Sequence, residues 1–352
     1  MTTKDSESLF SPSDCSNNEL TLIENSWESS KVNNMVVKIV LEEKLGVCVH
    51  IRRNTTVIQG LELINTIGNE KAIVILEFWK SGRTQEYSKY VQNGKYITDL
   101  GELGPIGRVG WYIPYFMTET GNGNQMDDFV RSYRYFRTTP LIPFINGVPQ
   151  VLSFNTQIIQ NLKLNLNVTN VPEEADSEKY IVDQLENAER TKSPLVAYFW
   201  TPHQIFSRPR PPQRVYLPLY TEDCRKQSNI NARLVDCDYP PTTLNKLQSD
   251  AVNRLSLSVQ LFLKNFHYRS SDQIRILGDI YYANMTVRES ACKWLRDLNN
   301  TALINSWFEG PKRSPTPLTQ NVGFIVGMAH LAVLVGLLLI LCIGFTMGYV
   351  IR

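Results

Sequence analysis

The chain has 352 residues, room for two lobes or domains. Apolar residues make up 43% and charged residues 20%, and the net charge of +2 is spread without long like-charge blocks, which removes any electrostatic case for nucleic acid. There is no GxSxG, P-loop, HExxH or GxGxxG, and the few histidines and scattered carboxylates do not assemble a catalytic triad, so an enzyme is not expected.

Residues 1–18 are polar and read as a disordered N-terminus. A strand is expected at 20–23, with Trp27 just beyond it. Ser29 or Ser30 caps the next helix, in which Val32, Met35, Val36, Ile39 and Val40 recur at helical spacing and Gly46 is the stop. A β-branched strand at 47–51, a short helix at 59–67 and a nearly all-apolar strand at 72–78, ending at Trp79, complete an α/β unit with a parallel sheet. "GWYIPYF" at 110–116 is a further strand, followed by a Gly/Asn turn at 121–125. Helices are expected at 157–164 and 177–189, and a strand at 195–200. "SRPRPPQR" at 207–214 is a Pro-rich connector whose Arg208, Arg210 and Arg214 are read as a solvated extended hinge, with an anion site as the alternative. The remainder reads as helical, including 243–264 and 287–298, with Trp294 and Trp307 as core residues. "EGPKRSPTP" at 309–317 is a linker.

Residues 322–350 carry no Asp, Glu, Lys or Arg. As a helix they would reach about 43 Å, more than the ~30 Å hydrocarbon core, and a transmembrane helix is expected. The spacings Gly323/Gly327 and Gly344/Gly348 would let a second copy approach closely, a route to a homodimer. The six cysteines include no CxxC and no Cys/His cluster at zinc spacing, so neither metal nor cofactor is expected. Cys224 and Cys237 are 13 positions apart and are read either as a disulfide stapling an exposed loop or as two free thiols. Sequons at Asn54, Asn167, Asn284 and Asn299 favour glycosylation and an exoplasmic location. Against this, residues 1–20 hold no apolar signal core, and Lys312 and Arg313 precede the apolar segment while only Arg352 follows it. Taken literally, these features describe a tail-anchored protein facing the cytosol. The expectation adopted is a single-pass membrane protein with its globular part outside, its chain lacking a start, a cytoplasmic tail or both.

Five segments in order carry a resemblance: "SWESSKVNNMVVKIVLEEKLG", "AIVILEFW", "GKYITDLGELGPIGRVGWYIP", "YFWTPHQIF" and "ESACKWLRDLNNTALINSW". Together they resemble the substrate-binding proteins of glycine betaine/proline betaine/choline ABC transporters, here in a membrane-anchored, eukaryote-like form. The resemblance implies an α/β, two-lobed, periplasmic-binding-protein-like (type II) fold plus one C-terminal transmembrane helix. Lobe 1 would be 19–112 and 215–308, lobe 2 113–214, the linker 309–321 and the membrane helix 322–350. The chain would cross near 111–114 and recross near 207–215.

A quaternary ammonium has no hydrogen to donate, so a protein holds it against electron-rich aromatic faces. The resemblance makes Trp79 and Trp200 cage residues, Phe154 a third wall, and His203 a donor to an anionic group. Trp27 faces the presumed cleft, Trp111 lies at the crossing strand, and Ser29 and Ser30 offer a helix N-terminus to a carboxylate. Glu77 is read either as a charge that repels an anion and attracts a cation or as a side chain that simply faces out. The expected function is membrane-anchored capture of a glycine betaine- or choline-like solute, as receptor or uptake component with a permease or signalling partner. The alternative is a ligand-free interaction or assembly module that keeps the flytrap fold.

Overall fold

The computed structural model describes residues 18–310, apart from 54, 120–127, 148–153 and 174. The expected N-terminal tail, Asn54, the turn at 121–125 and the apolar segment at 322–350 lie outside the described residues.

The opening unit follows the sequence pattern. Strand β1 (Glu19–Ile23), helix α1 (Glu28–Leu45), β2 (Cys48–Arg52), α2 (Val57–Ile67) and β3 (Ile73–Trp79) succeed one another, and β1 pairs with both β2 and β3 in parallel. Gly46 ends α1 at φ 65, a left-handed conformation that glycine adopts without steric cost, and its amide donates to the Leu41 carbonyl. Trp27, not Ser29 or Ser30, occupies the position before the first turn of α1. Thr56 and Gln59 form a reciprocal capping box at the start of α2.

After the single turn α3 (Thr84–Glu86) comes β4 (Ile97–Ile113), far longer than the strand expected at 110–116. Gly101 and Gly104 take φ values of 91 and 110, and register shifts between Asp99 and Gly101 and between Glu102 and Ile106 bend the strand. The Gly/Pro punctuation that looks like a loop thus sits inside a bulged strand. Through Gly107, β4 pairs antiparallel with β9 (Thr242–Ser249). From Arg108 onward it pairs antiparallel with β7 (Val196–Thr201). One strand therefore belongs to both lobes.

In the second lobe, β7 and β6 (Leu166–Thr169) flank β5 (Ile142–Ile145) in parallel, and β8 (Gln213–Arg214) pairs with β4. Helices α4 (Asn155–Asn161), α5 (Ser177–Thr191) and the short α6 (Gln227–Asn231) complete this half. The first lobe is completed by β9, α7 (Leu257–Asn265), α8 (Ser270–Tyr282), α9 (Val287–Arg296) and α10 (Thr301–Ser306). The strand order is β2-β1-β3-β9-β4-β7-β5-β6.

Two expectations are corrected. The helix expected at 243–264 is strand β9, a 3-10 turn and α7. The lobe crossings lie between Gly107 and Arg108 and just before Thr242, not near 111–114 and 207–215. Residues 215–241 stay in the second lobe, where Val215, Leu217, Val235 and Tyr239 join its core.

Both sheets are covered on both faces. In the first lobe, Val74 and Leu76 of β3 pack with α1, while Ile73, Ile75 and Phe78 pack with α2. The alternation breaks at Glu77, where the pairing of β3 with β9 shifts register between Ile75 and Phe78. That irregularity aims Glu77 at α1, as bulges beside functional sites often re-aim a side chain. In the second lobe, Trp111, Phe144 and Tyr198 face one core, and Tyr112, Ala197 and Phe199 face the other, against α5. Among the described residues no helix is long and apolar enough to cross a membrane.

Candidate ligand site between the lobes

The tryptophans sort by exposure. Trp111, Trp294 and Trp307 are 0%, 2% and 0% exposed, whereas Trp27, Trp79 and Trp200 are only partly covered. The last three share a structural position: Trp27 follows β1, Trp79 ends β3, and Trp200 is next to last in β7. Ligands of open α/β sheets bind outside the carboxyl ends of the strands.

In the first lobe, one carboxylate organises the wall. Glu77 is buried, and its Oε1 accepts hydrogen bonds from Trp27 Nε1 (2.9 Å), Trp79 Nε1 (2.8 Å) and Ser29 Oγ (2.9 Å). Its Oε2 accepts from Asn33 Nδ2 at 2.6 Å, and Asn33 Oδ1 in turn accepts from Tyr268 and from Gln273 Nε2. Burial pushes the Glu77 carboxyl up to about 7, against the pull of these hydrogen bonds, and the Glu178 carboxylate adds to the rise.

In the second lobe, the Trp200 ring is stacked on Phe199, with centroids 4.5 Å apart and planes at 26°. The His203 ring stands edge-on to Trp200 at 6.2 Å. His203 Nδ1 accepts the Ile205 amide at 3.2 Å, and its Nε2 lies 2.8 Å from Glu178 Oε1. Glu178 lies in the first turn of α5.

The two walls meet where β4 changes lobes. An atom added at the Cβ position of Gly107 would lie 2.5 Å from the Trp79 ring, and Val109, two residues on, pairs with Trp200. Glu178, at the start of α5, also acts electrostatically on both Glu77 and Lys31. This arrangement offers aromatic faces from both halves and an excess of carboxylates. Among the described residues no group of His, Cys, Asp and Glu is placed to hold a metal ion.

The family model of the substrate-binding domain of ABC-type glycine betaine transport systems matches residues 18–215. The chain belongs to this family. It is a substrate-binding protein and not an enzyme. Lactococcal OpuAC, closed and complexed with glycine betaine, superposes with a TM-score of 0.60 at 13% identity, over 83% of this chain and 100% of that one. The glycine betaine/L-proline-binding protein of Borrelia burgdorferi gives 0.56 at 13% identity, covering 83% and 97%. A choline-binding protein in complex with choline gives 0.54 at 16% identity, covering 84% and 93%. These likenesses show the periplasmic-binding-protein-like α/β fold. No curated protein matches.

Within this glycine betaine-type substrate-binding domain, the residues singled out from sequence fall into two groups. Trp27, Trp79 and Ser29 come together on Glu77, and Trp200 and His203 come together beside Glu178. The others lie elsewhere. Trp111 is in the second-lobe core, donating to Asn155 Oδ1 at 2.6 Å, because its strand alternation points it away from the gap. Ser30 Oγ accepts the Asn25 amide and steadies the loop before α1. The face of Phe154 is already taken: the Arg225 guanidinium lies 4.4 Å from its centroid and 4.7 Å from that of Tyr239. Arg225 is carried there by the loop that the Cys224–Cys237 disulfide closes, and it donates to the Cys237 and Asp238 carbonyls. Nor does the Pro-rich connector present free cations. Arg208 pairs with Glu186, Arg210 with Glu119 and Glu189, and Arg214 with Asp238.

His203 Nε2, expected to donate to an anionic group of the ligand, lies beside the Glu178 carboxylate. Glu77 does not face out. The signal that would have found it is its place as the lone acid in the apolar strand "IVILEFW", since a buried acid there must have partners.

Proposed function

We propose that this chain captures a small quaternary-ammonium solute, of the glycine betaine or choline kind, between its two lobes. The observation that carries this reading is the set of partly covered indoles at strand ends, Trp27 and Trp79 from one lobe and Trp200 from the other, at the point where β4 changes lobes. Each desolvated aromatic face contributes on the order of 0.5–2 kcal/mol to holding a cation. Three faces with apolar burial supply about 8 kcal/mol, the free energy of micromolar binding. The relatives that superpose include one complexed with glycine betaine and one with choline, which supports the ligand class.

Isothermal titration with glycine betaine, choline and carnitine tests the reading. Binding is expected for at least one of them, and Trp200→Ala weakens it by about 30-fold or more, a loss on the order of 2 kcal/mol. Binding that Trp200→Ala leaves unchanged would contradict the placement of the site.

The reading extends to location. The apolar run at 322–350 serves as a membrane anchor, and the globular part faces outward. The Cys224–Cys237 disulfide, a further disulfide at Cys48, and the exposed positions of Asn167, Asn284 and Asn299 favour an oxidising, exoplasmic setting. A permease or signalling partner and a homodimer through the anchor belong to the same reading. The covered face of Phe154 favours a second reading, an interaction module that keeps the fold without a ligand. Absence of binding to every trimethylammonium compound would select it.

A further inference from the structure

We infer that Glu77 is the positioning residue of this site, holding the Trp27 and Trp79 indoles by their N–H edges and selecting ligands of net positive charge over zwitterions. The inference rests on the proposed ligand site and goes beyond it to the charge of the ligand.

One oxygen takes both indole N–H groups, at 2.9 and 2.8 Å, so two rings from different parts of the chain are fixed as one unit. An indole that donates to a carboxylate gains electron density on its ring, and its face becomes a better partner for a cation. The four groups that hydrogen-bond Glu77 are two indoles, a hydroxyl and an amide, all neutral. Donors of this kind solvate a buried carboxylate but leave its charge unbalanced. A trimethylammonium group against the two rings supplies the missing countercharge.

The surroundings have the same sign. Glu178, from α5 of the other lobe, and the Tyr268 hydroxyl are the titratable groups that bear on Glu77. Lys31 is engaged by Glu28 at 2.5 Å and lies in the field of Glu24 and Glu178, and His203 faces Glu178. Carboxylates outnumber cations around the indoles. A ligand carrying its own carboxylate meets repulsion that choline does not.

The test compares choline with glycine betaine by calorimetry between pH 5.5 and 8.5, on the wild-type chain and on Glu77→Gln. Wild type is expected to bind choline at least tenfold more tightly than glycine betaine at pH 8, with choline affinity falling below pH 7. Glu77→Gln is expected to weaken choline about tenfold, leave glycine betaine nearly unchanged and remove the pH dependence. Unchanged choline affinity with an unchanged pH profile in Glu77→Gln would overturn the inference, as would a wild-type preference for glycine betaine.

A second readout needs no ligand. The tryptophan emission of the free protein is expected to titrate with a midpoint near 7 in wild type and not in Glu77→Gln. Should Glu77→Gln not fold, Ser29→Ala takes its place. It removes one donor to the carboxylate and is expected to move that midpoint upward, and an unmoved midpoint overturns the inference. If wild type binds neither compound, the proposed function and the selectivity both fall. The emission titration then still decides whether Glu77 holds the rings.

Discussion

Glu77 links the chemistry of the site to the stability of the protein, because a carboxyl buried among neutral donors holds its proton longer when the chain is folded than when it is unfolded. The unfolded carboxyl titrates near 4.5 and the folded one near 7. Between these values the native state keeps a proton that the unfolded state has released, so stability falls as pH rises through that window. The change is on the order of 3 kcal/mol once pH exceeds the folded value. Urea unfolding at pH 5, 6, 7 and 8 should therefore show wild type losing stability relative to Glu77→Gln by that amount. A constant difference between the two proteins would show that Glu77 is ionised at every pH tested. The same residue illustrates the limit of residue-scale reading. Trp79 and Trp200 stand out in the sequence because each ends an apolar strand. The acid two positions before Trp79 looks exposed until the register shift in β3 is known.

Among the elements, β4 matters most to the site, since it carries the chain from one lobe to the other and supports both aromatic walls. Gly107 is the contact point: an added Cβ would lie 2.5 Å from the Trp79 ring and 2.7 Å from Thr242 Cγ2. Gly107→Ala is predicted to displace the Trp79 ring and weaken ligand binding by about tenfold, with the far-ultraviolet spectrum retained. Full affinity in that variant would mean that the Trp79 ring is not held at the crossing. Element by element, the sequence was most readable where local and tertiary preferences agree. The first unit, β1 to β3, has strong helical spacing, a glycine stop and apolar strands, and it folds as its pattern implies. Strand β9 shows the opposite case. "TTLNKLQS" carries helix-compatible Leu, Lys and Gln, yet it lies between β3 and β4 as a central strand. Tertiary pairing overrides its propensity. Lys246, only 1% exposed, reaches the Leu263, Lys264 and Phe266 carbonyls at the end of α7, a contact that no sequence pattern announces.

At the scale of the whole globular part, the two lobes are joined by β4 and by the return before Thr242. They also touch where α8 meets the turn Gln204–Ser207. There Gly278 leaves no room for a side chain, since its Cβ position lies 2.4 Å from Ser207 Oγ. The Cys224–Cys237 bridge closes a 13-residue separation in the second lobe, worth about 3 kcal/mol in the chain-entropy account, and fixes Arg225 over Phe154. The two-lobed architecture was legible because five separated segments kept the order of the family. The lobe boundaries were not, because the Gly/Pro-interrupted first part of β4 shows no strand pattern and residues 215–241 carry no local mark of the lobe they join. The central claim is that indoles from both lobes converge on one methylated cation. A crystal structure with choline bound tests it most directly. The account predicts the ammonium nitrogen within ~6 Å of the ring centroids of Trp79 and Trp200, with Trp27 completing the box. A ligand that touches only one lobe, or a site away from all three rings, would contradict it.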